Sequence, residues 1–460
     1  MATNPRVDPA TDLIVPEPPR LPAAPAVWEA QYQDQYTNVL RLYFNRLNNL
    51  LQEINVSTGS GGIYPLGTAG DAFGRLRTSN PFTLFDSKNR FQSDPQFDTA
   101  TTGAGASATY VSNDASVTLQ VDATASEDVT RQTLRVFSYQ PGKSLLVFAT
   151  FAMGAANSGV DSKIGYFDGS NGIYFRRNGS TLYFEIMKNG SVTETVAQSS
   201  WNTDKMDGTG ASGVTLDVTK TQILYIDLEW LGVGTVRCGF VQDGKMYVCH
   251  AFHHANTATS VYMQTAVLPV RYQITSSGTG TGNATLSQIC STVMSEGGYN
   301  RRVAPNWIRS PSPASIGTSF VPLFSMRIKS GKEGAVIIPA SVSALPVGTN
   351  LDFEVALFKY PDASHLTGAT WALTSGSSVE YDIAATSMSI VNNNIVSSTY
   401  LSGSNQGSTS LSSEQEYNFG LQIGVDIANV SEVYTLAART LSGSGSNNLV
   451  GGLSYYDLTD

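Results

Sequence analysis

Ile173-Tyr-Phe-Arg-Arg-Asn-Gly-Ser-Thr-Leu-Tyr-Phe-Glu-Ile-Met-Lys-Asn-Gly-Ser-Val-Thr-Glu-Thr-Val196 decides the fold class. Three runs rich in β-branched and aromatic residues are punctuated by Asn178-Gly179 and Asn189-Gly190. Asn-Gly readily supplies the two consecutive positive-φ residues of a type I′ turn, whose twist matches that of the antiparallel strands it joins. The stretch reads as a three-stranded meander.

The same signals continue outward. Asp168-Gly169 precedes the meander and Asp243-Gly244 follows it, each between apolar or alternating runs. Ser144-Leu-Leu-Val-Phe-Ala-Thr-Phe151, Ile223-Leu-Tyr-Ile-Asp-Leu-Glu-Trp-Leu231, Val233-Gly-Thr-Val-Arg-Cys-Gly-Phe-Val241 and Val270-Arg-Tyr-Gln-Ile274 are further strand candidates. Short strands at regular spacing predict a two-sheet sandwich of jelly-roll type over residues 101–304. A break at Gly297-Gly-Tyr-Asn-Arg-Arg-Val-Ala-Pro-Asn-Trp307 separates it from a second β-domain, 305–460, with strands such as Phe320 to Ile328 and Leu351 to Phe358. The expected fold is mainly β, with an extended N-terminal arm and one α-helix followed by two β-sandwich, jelly-roll-like domains.

Composition agrees. In 460 residues, charged side chains make up 14%, against the usual quarter, and Ser, Thr, Asn and Gly fill the gap. That balance suits strands joined by tight turns. The net charge of −9 is spread along the chain with no Lys/Arg run to neutralise phosphates, which argues against nucleic-acid binding. No apolar run is long enough to span a bilayer and no secretion signal opens the chain, so synthesis in a cytosol is expected. Cys238, Cys249 and Cys290 are too few for a disulfide framework or a zinc site. A two-residue turn at Asp243-Gly244 places Cys238 directly opposite Cys249, and reducing surroundings predict free thiols.

Upstream of the β-rich region the pattern changes. Residues 1–26 carry seven prolines and read as an extended arm, with Leu13, Ile14 and Val15 as its partner-binding anchors. In residues 27–57, Tyr36, Leu40, Tyr43, Leu47, Leu50 and Ile54 recur at alternating steps of four and three, an a/d seam for oligomerisation or docking. Val39, Leu42 and Phe44 widen its apolar face, and a trimer is the expected assembly. Residues 58–100 read as an irregular connector in which Asp71, Arg75, Arg77 and Asp86 form a charged clamp.

Candidate chemistry is sparse. His250-Ala-Phe-His253-His254 is the one histidine cluster, but three histidines on one strand do not converge unless the strand ends within the motif, and no carboxylate has metal-motif spacing. They read as surface or interface histidines. Asp204 and Asp207 offer oxygen ligands for Ca²⁺ without EF-hand spacing, and turn residues of this kind commonly satisfy backbone amides instead. Asp227 and Glu229 lie two apart on an expected strand, the one pairing that suggests glycoside hydrolysis. No nucleophile elbow, phosphate loop or dinucleotide fingerprint is present, so no catalytic residue, metal or cofactor is assigned. Tyr166, Tyr174, Tyr183, Trp201, Tyr262 and Trp371 are candidates for stacking on sugars or for the core.

Asp71-Ala-Phe-Gly-Arg-Leu-Arg77 with Pro81-Phe-Thr-Leu-Phe-Asp86, the run from Trp201 to Asp217, Trp230 to Val241 and Phe252-His-His-Ala-Asn256 resemble virion structural proteins of tailed bacteriophages, of marine and cyanobacterial type, and of some large DNA viruses. The resemblance covers about residues 60–300. It implies a non-enzymatic virion component made in the host cytoplasm. The arm and helix are then expected to attach it to capsid, neck or tail proteins and to join copies, as in a fibre, spike or decoration protein. A receptor-binding module for host surface glycans is the alternative, and a polysaccharide depolymerase using Asp227 and Glu229 ranks last.

Overall fold

The structure, a computed structural model, describes residues 33, 35–44, 80–300, 303–310, 314–349, 351–403, 407–410, 419–441 and 447–459. The chain divides into two compact units, 1–79 and 80–460.

In the first unit, residues 33 and 35–44 are helical. Tyr36, Val39, Leu40 and Tyr43 are half-buried. Leu42 and Phe44, expected to widen the helix's apolar face, are 53% and 60% exposed. Leu13, Ile14, Val15, Leu47, Leu50, Ile54, Asp71, Arg75 and Arg77 lie outside the described residues.

The second unit is built from antiparallel sheets. One runs, edge to edge, Lys245–Phe252, Val236–Gln242, Gln222–Leu228, Ser144–Met153, Asn283–Glu296, Ser116–Asp122 and Ser107–Val111. The facing sheet runs Ser191–Ala197, Thr181–Lys188, Gly172–Asn178, Val160–Phe167, Val270–Ser277, Ser126–Thr133 and Phe97–Thr102. The chain repeatedly crosses between the two sheets, for example from Ser144–Met153 to Val160–Phe167 and from Val270–Ser277 to Asn283–Glu296, which is jelly-roll winding. Leu119, Phe151, Ile164, Phe175, Phe184, Phe240 and Leu286 fill the space between them, fully buried.

Beyond residue 305 a five-stranded and a six-stranded sheet form a second sandwich around Phe324, Met326, Val355, Leu436 and Leu453. The two sandwiches do not keep separate cores. Val336, Ile338 and Leu458 of the second pack into the core of the first.

Two of the four expected turns form as read. Asn189 and Gly190 have φ of 51° and 76°, Asp243 and Gly244 of 51° and 74°, and each pair sits between directly opposed residues. The other two differ. Asn178 pairs with Thr181, so that turn centres on Gly179-Ser180. Phe167 pairs with Gly172, leaving a four-residue turn in which Asp168 Oδ1 accepts the N–H groups of Ser170 and Asn171 at 2.6 and 2.7 Å.

The connector ends earlier than expected, because Pro81–Lys88 and Phe97–Thr102 are strands. Pro81–Lys88 pairs with the C-terminal half of Asn283–Glu296 and carries a bulge between Thr83 and Phe85. The bulge lets consecutive Leu84 and Phe85 both be buried, which breaks the two-residue period by which a strand is read.

Candidate functional site

The richest polar chemistry gathers where the outer edges of the first sandwich's sheets meet. Strand Lys245–Phe252 borders one sheet and Ser191–Ala197 the other. An edge strand exposes unpaired N–H and C=O groups, and here residues 201–204 cover one of them. Asn202 binds Ala251 twice, its Nδ2 donating to the carbonyl at 2.8 Å and its Oδ1 accepting the amide at 2.9 Å. The amides of Thr203 and Asp204 both donate to Cys249 O at 3.1 Å. Trp201 anchors this cover, buried with its ring 4.6 Å from Phe184.

The histidine motif straddles the end of that strand, which stops at Phe252, and the three rings diverge. His250 is buried, its Nδ1 accepting the Asn202 amide at 3.3 Å, and burial lowers its pKa. His253 is exposed, with Nδ1 3.4 Å from Thr235 Oγ1. His254 is buried and stacked on Tyr262 at 4.2 Å, with Nδ1 2.7 Å from Gly234 O and Nε2 2.8 Å from Glu194 Oε1. Burial is the largest single influence on its pKa and lowers it, but Glu194 and the Gly234 carbonyl outweigh it, and the net shift is upward. Glu194 was not legible as a partner, since 60 positions separate it from His254.

Asp204 and Asp207 act as turn anchors. Asp204 Oδ1 accepts the Met206 amide at 2.8 Å and Oδ2 that of Ser212 at 2.7 Å, while Asp207 Oδ1 accepts the Thr209 amide at 2.9 Å. Burial on its own would raise the Asp204 carboxyl, and these amides bring it below the usual range. Among the described residues no group of three or more His, Cys, Asp or Glu is arranged to hold a metal ion.

Asp227 and Glu229 line one cleft of about 450 Å³ with Lys143, Ser144 and Arg237. Both reach it although the strand ends at Leu228: the Glu229 amide still donates to Thr235 O at 3.1 Å, and the chain turns at Leu231, whose φ is 36°. Asp227 is bound by Ser144 Oγ and the Arg237 guanidinium, and Glu229 Oε1 accepts the Thr235 amide at 3.1 Å. Glu296, near enough to Asp227 to feel its charge, has its carboxyl raised by burial and by Asp227. Both carboxylates thus have structural partners.

Cys238 does not face Cys249. A bulge between Cys238 and Gly239 shifts the register, so Cys238 opposes His250. At Gly239 a Cβ would lie 1.9 Å from Tyr247 O, so glycine is what permits this approach. All three thiols are free.

Of the aromatic candidates, Tyr166, Tyr174, Trp201 and Tyr262 are buried. Tyr183 is half-buried beside Arg176, and the Arg327 guanidinium lies 4.0 Å above Trp371. Among the described residues the exposed indole is Trp307, outside the sequence candidates, at 57% exposure on the edge strand Asn306–Arg309. Asp86 is exposed and pairs with Lys88 at 3.7 Å.

These features define a mainly β, two-sandwich protein. No family model matches the chain, and no curated protein matches it. Among solved structures it is similar to a protein of unknown function from Shewanella oneidensis MR-1, with 13% identity over 54% of this chain and 98% of that one and a TM-score of 0.33. It is also similar to lectin II from Ulex europaeus (8% identity, 48% of this chain and 100% of that one, TM-score 0.30). A third is a legume lectin-like domain from Entamoeba histolytica (10% identity, 45% and 95%, TM-score 0.28).

Proposed function

We propose that this chain is a non-enzymatic structural component of a bacteriophage virion, attached to capsid, neck or tail proteins through its N-terminal arm and held as a trimer by the seam of residues 36–54. The observation that supports this reading is the fate of Pro81-Phe-Thr-Leu-Phe-Asp86, half of the motif on which the virion resemblance rests. It is a strand bonded along Asn283–Glu296, with Leu84 and Phe85 buried at its centre. Phe85 packs 5.0 Å from Phe137 and 5.9 Å from Phe97, with the Arg135 guanidinium 5.3 Å away. This half of the motif is thereby built into the sandwich core by backbone pairing and by aromatic packing. Deleting residues 1–26 should abolish incorporation into particles, read by mass spectrometry of purified virions, while the isolated protein stays folded. Normal incorporation of that truncation defeats the proposal.

A second reading, recognition of host surface glycans, is favoured by Trp307. Its indole borders an open groove of about 1270 Å³ that also takes in Arg309, Ser343 and Tyr381, and an exposed ring beside hydroxyl and guanidinium groups suits a sugar face. A glycan array probed with the full chain and with Trp307→Ala tests it: selective signals lost in the variant support it, and an array without selective signals defeats it.

A further inference from the structure

We infer that His254 and Glu194 form a pH-gated clasp joining the two sheets of the first sandwich at their outer edges, closed by the imidazolium and released by its deprotonation. The sequence singles out this histidine motif, and neither functional reading uses it. His254 follows the edge strand of one sheet, Glu194 lies on the edge strand of the other, and Gly234 belongs to the turn before Val236–Gln242.

The hydrogen-bond geometry selects the charged form. Nδ1 faces the Gly234 carbonyl at 2.7 Å and Nε2 faces the Glu194 carboxylate at 2.8 Å. Both partners are acceptors, so a neutral ring, which carries one N–H, would turn a lone pair towards one of them. Imidazolium donates to both. The parallel Tyr262 ring, 16° from coplanar, lies against the same cation. The upward net shift of the His254 pKa is consistent with this arrangement.

The other polar groups nearby leave His254 as the switch. His250, on the strand before it, has its pKa lowered by burial against the opposing pull of Glu194, and its Nδ1 accepts the Asn202 amide. His253 is exposed and faces Thr235. Glu229, in the Gly234 turn, accepts the Thr235 amide, and Lys188 on the strand next to Glu194 donates to Val261 O at 2.6 Å and Ser260 Oγ at 3.1 Å.

The sign follows from the raised pKa. The clasp's stabilisation is complete below the unfolded-state value of 6.5 and is lost as pH rises through the folded-state value. Ser191–Ala197 pairs by backbone on one side only, with Thr181–Lys188, and Val196, two residues past Glu194, is held by the Trp201 indole N–H, which donates to its carbonyl at 3.3 Å, and by packing on the core. Release should therefore loosen residues 253–262 while the core stays closed.

Hydrogen exchange of the full chain, read as protection factors between pH 6 and pH 9, tests this, together with NMR titration of the His254 ring. In the wild type, protection in 253–262 should fall as pH rises through the His254 midpoint. Glu194→Gln should shift the ring's midpoint to lower pH, and His254→Gln should flatten the pH dependence at low protection. If His254→Gln does not fold, Glu194→Gln alone decides. A His254 midpoint at or below 6.5, or wild-type protection that does not vary with pH, overturns the inference.

Discussion

The backbone N–H of Ile427 donates to Asp98 Oδ2 at 2.9 Å, and that bond ties a loop of the second sandwich to an edge strand of the first. Two more bonds follow the same line. The Val425 amide donates to Leu134 O at 2.8 Å, and Nε2 of Gln422, 1% exposed, donates to Val136 O at 3.0 Å. With Val336, Ile338 and Leu458 inside the first core, neither sandwich can open without exposing apolar surface of the other. Calorimetry of the wild type should show one transition. Ile338→Ala should cost about 2–5 kcal/mol and Gln422→Ala about 1–3 kcal/mol, each lowering that transition as a whole. Two resolved wild-type transitions would contradict a shared core.

Phe85 should be the most sensitive position of the strand Pro81–Lys88. Phe85→Ala is expected to cost about 3–5 kcal/mol in urea unfolding, because the cavity opens between Phe97 and Phe137. Phe91, 82% exposed in the next loop, is the control, and Phe91→Ala should stay within about 0.5 kcal/mol of wild type. Equal losses at the two positions would refute the assignment of that strand to the core.

The buried thiols of Cys238 and Cys249 should be unreactive. Burial raises all three, Cys249 to about 12, and nearby Cys249 adds to the upward shift at Cys238. Titration with a thiol reagent at pH 8 should release the Cys238 and Cys249 equivalents only on unfolding. Mild oxidation should leave Cys238 and Cys249 unlinked, since the bulge sets Cys238 against His250. A native intramolecular disulfide found by peptide mapping would show that register to be wrong.

Asp204 should matter through its amides. Asp204→Ala leaves the Met206 and Ser212 N–H groups without their acceptor and should cost about 1–3 kcal/mol. Its folded-state carboxyl lies below the usual value of 3.8, so its contribution is present above that pH and is lost as pH falls through the lower folded-state value. Thermal midpoints should be the same with added Ca²⁺ and with chelator. A midpoint that rises with Ca²⁺ in wild type and not in Asp204→Ala would assign the loop to metal binding instead.

Much of the site lay beyond local reading. The motif from Trp201 to Asp217 stood out in the sequence, but its work of covering an edge strand is visible only when Asn202 is seen against Ala251. The carboxylates Asp227 and Glu229 did reach one cleft, though the turn at Leu231 ends the strand that was expected to align them. Aromatic residues divided by burial rather than by type, with Trp201 and Tyr262 in the core and Trp307 on the surface.

The sequence by itself determined that this is a β-protein and where two of its tight turns fall, because a turn such as Asn189-Gly190 is specified by the φ preferences of its own two residues. Only the tertiary structure decided that Pro81–Lys88 is a strand, that Cys238 faces His250, and that His254 meets Glu194. Each of those depends on pairing between segments far apart in the chain, as Asn89 and Gln288 are, 199 positions apart and 2.8 Å from each other. A bulge changes such a register by one residue, and packing across the sheets, not local propensity, selects it.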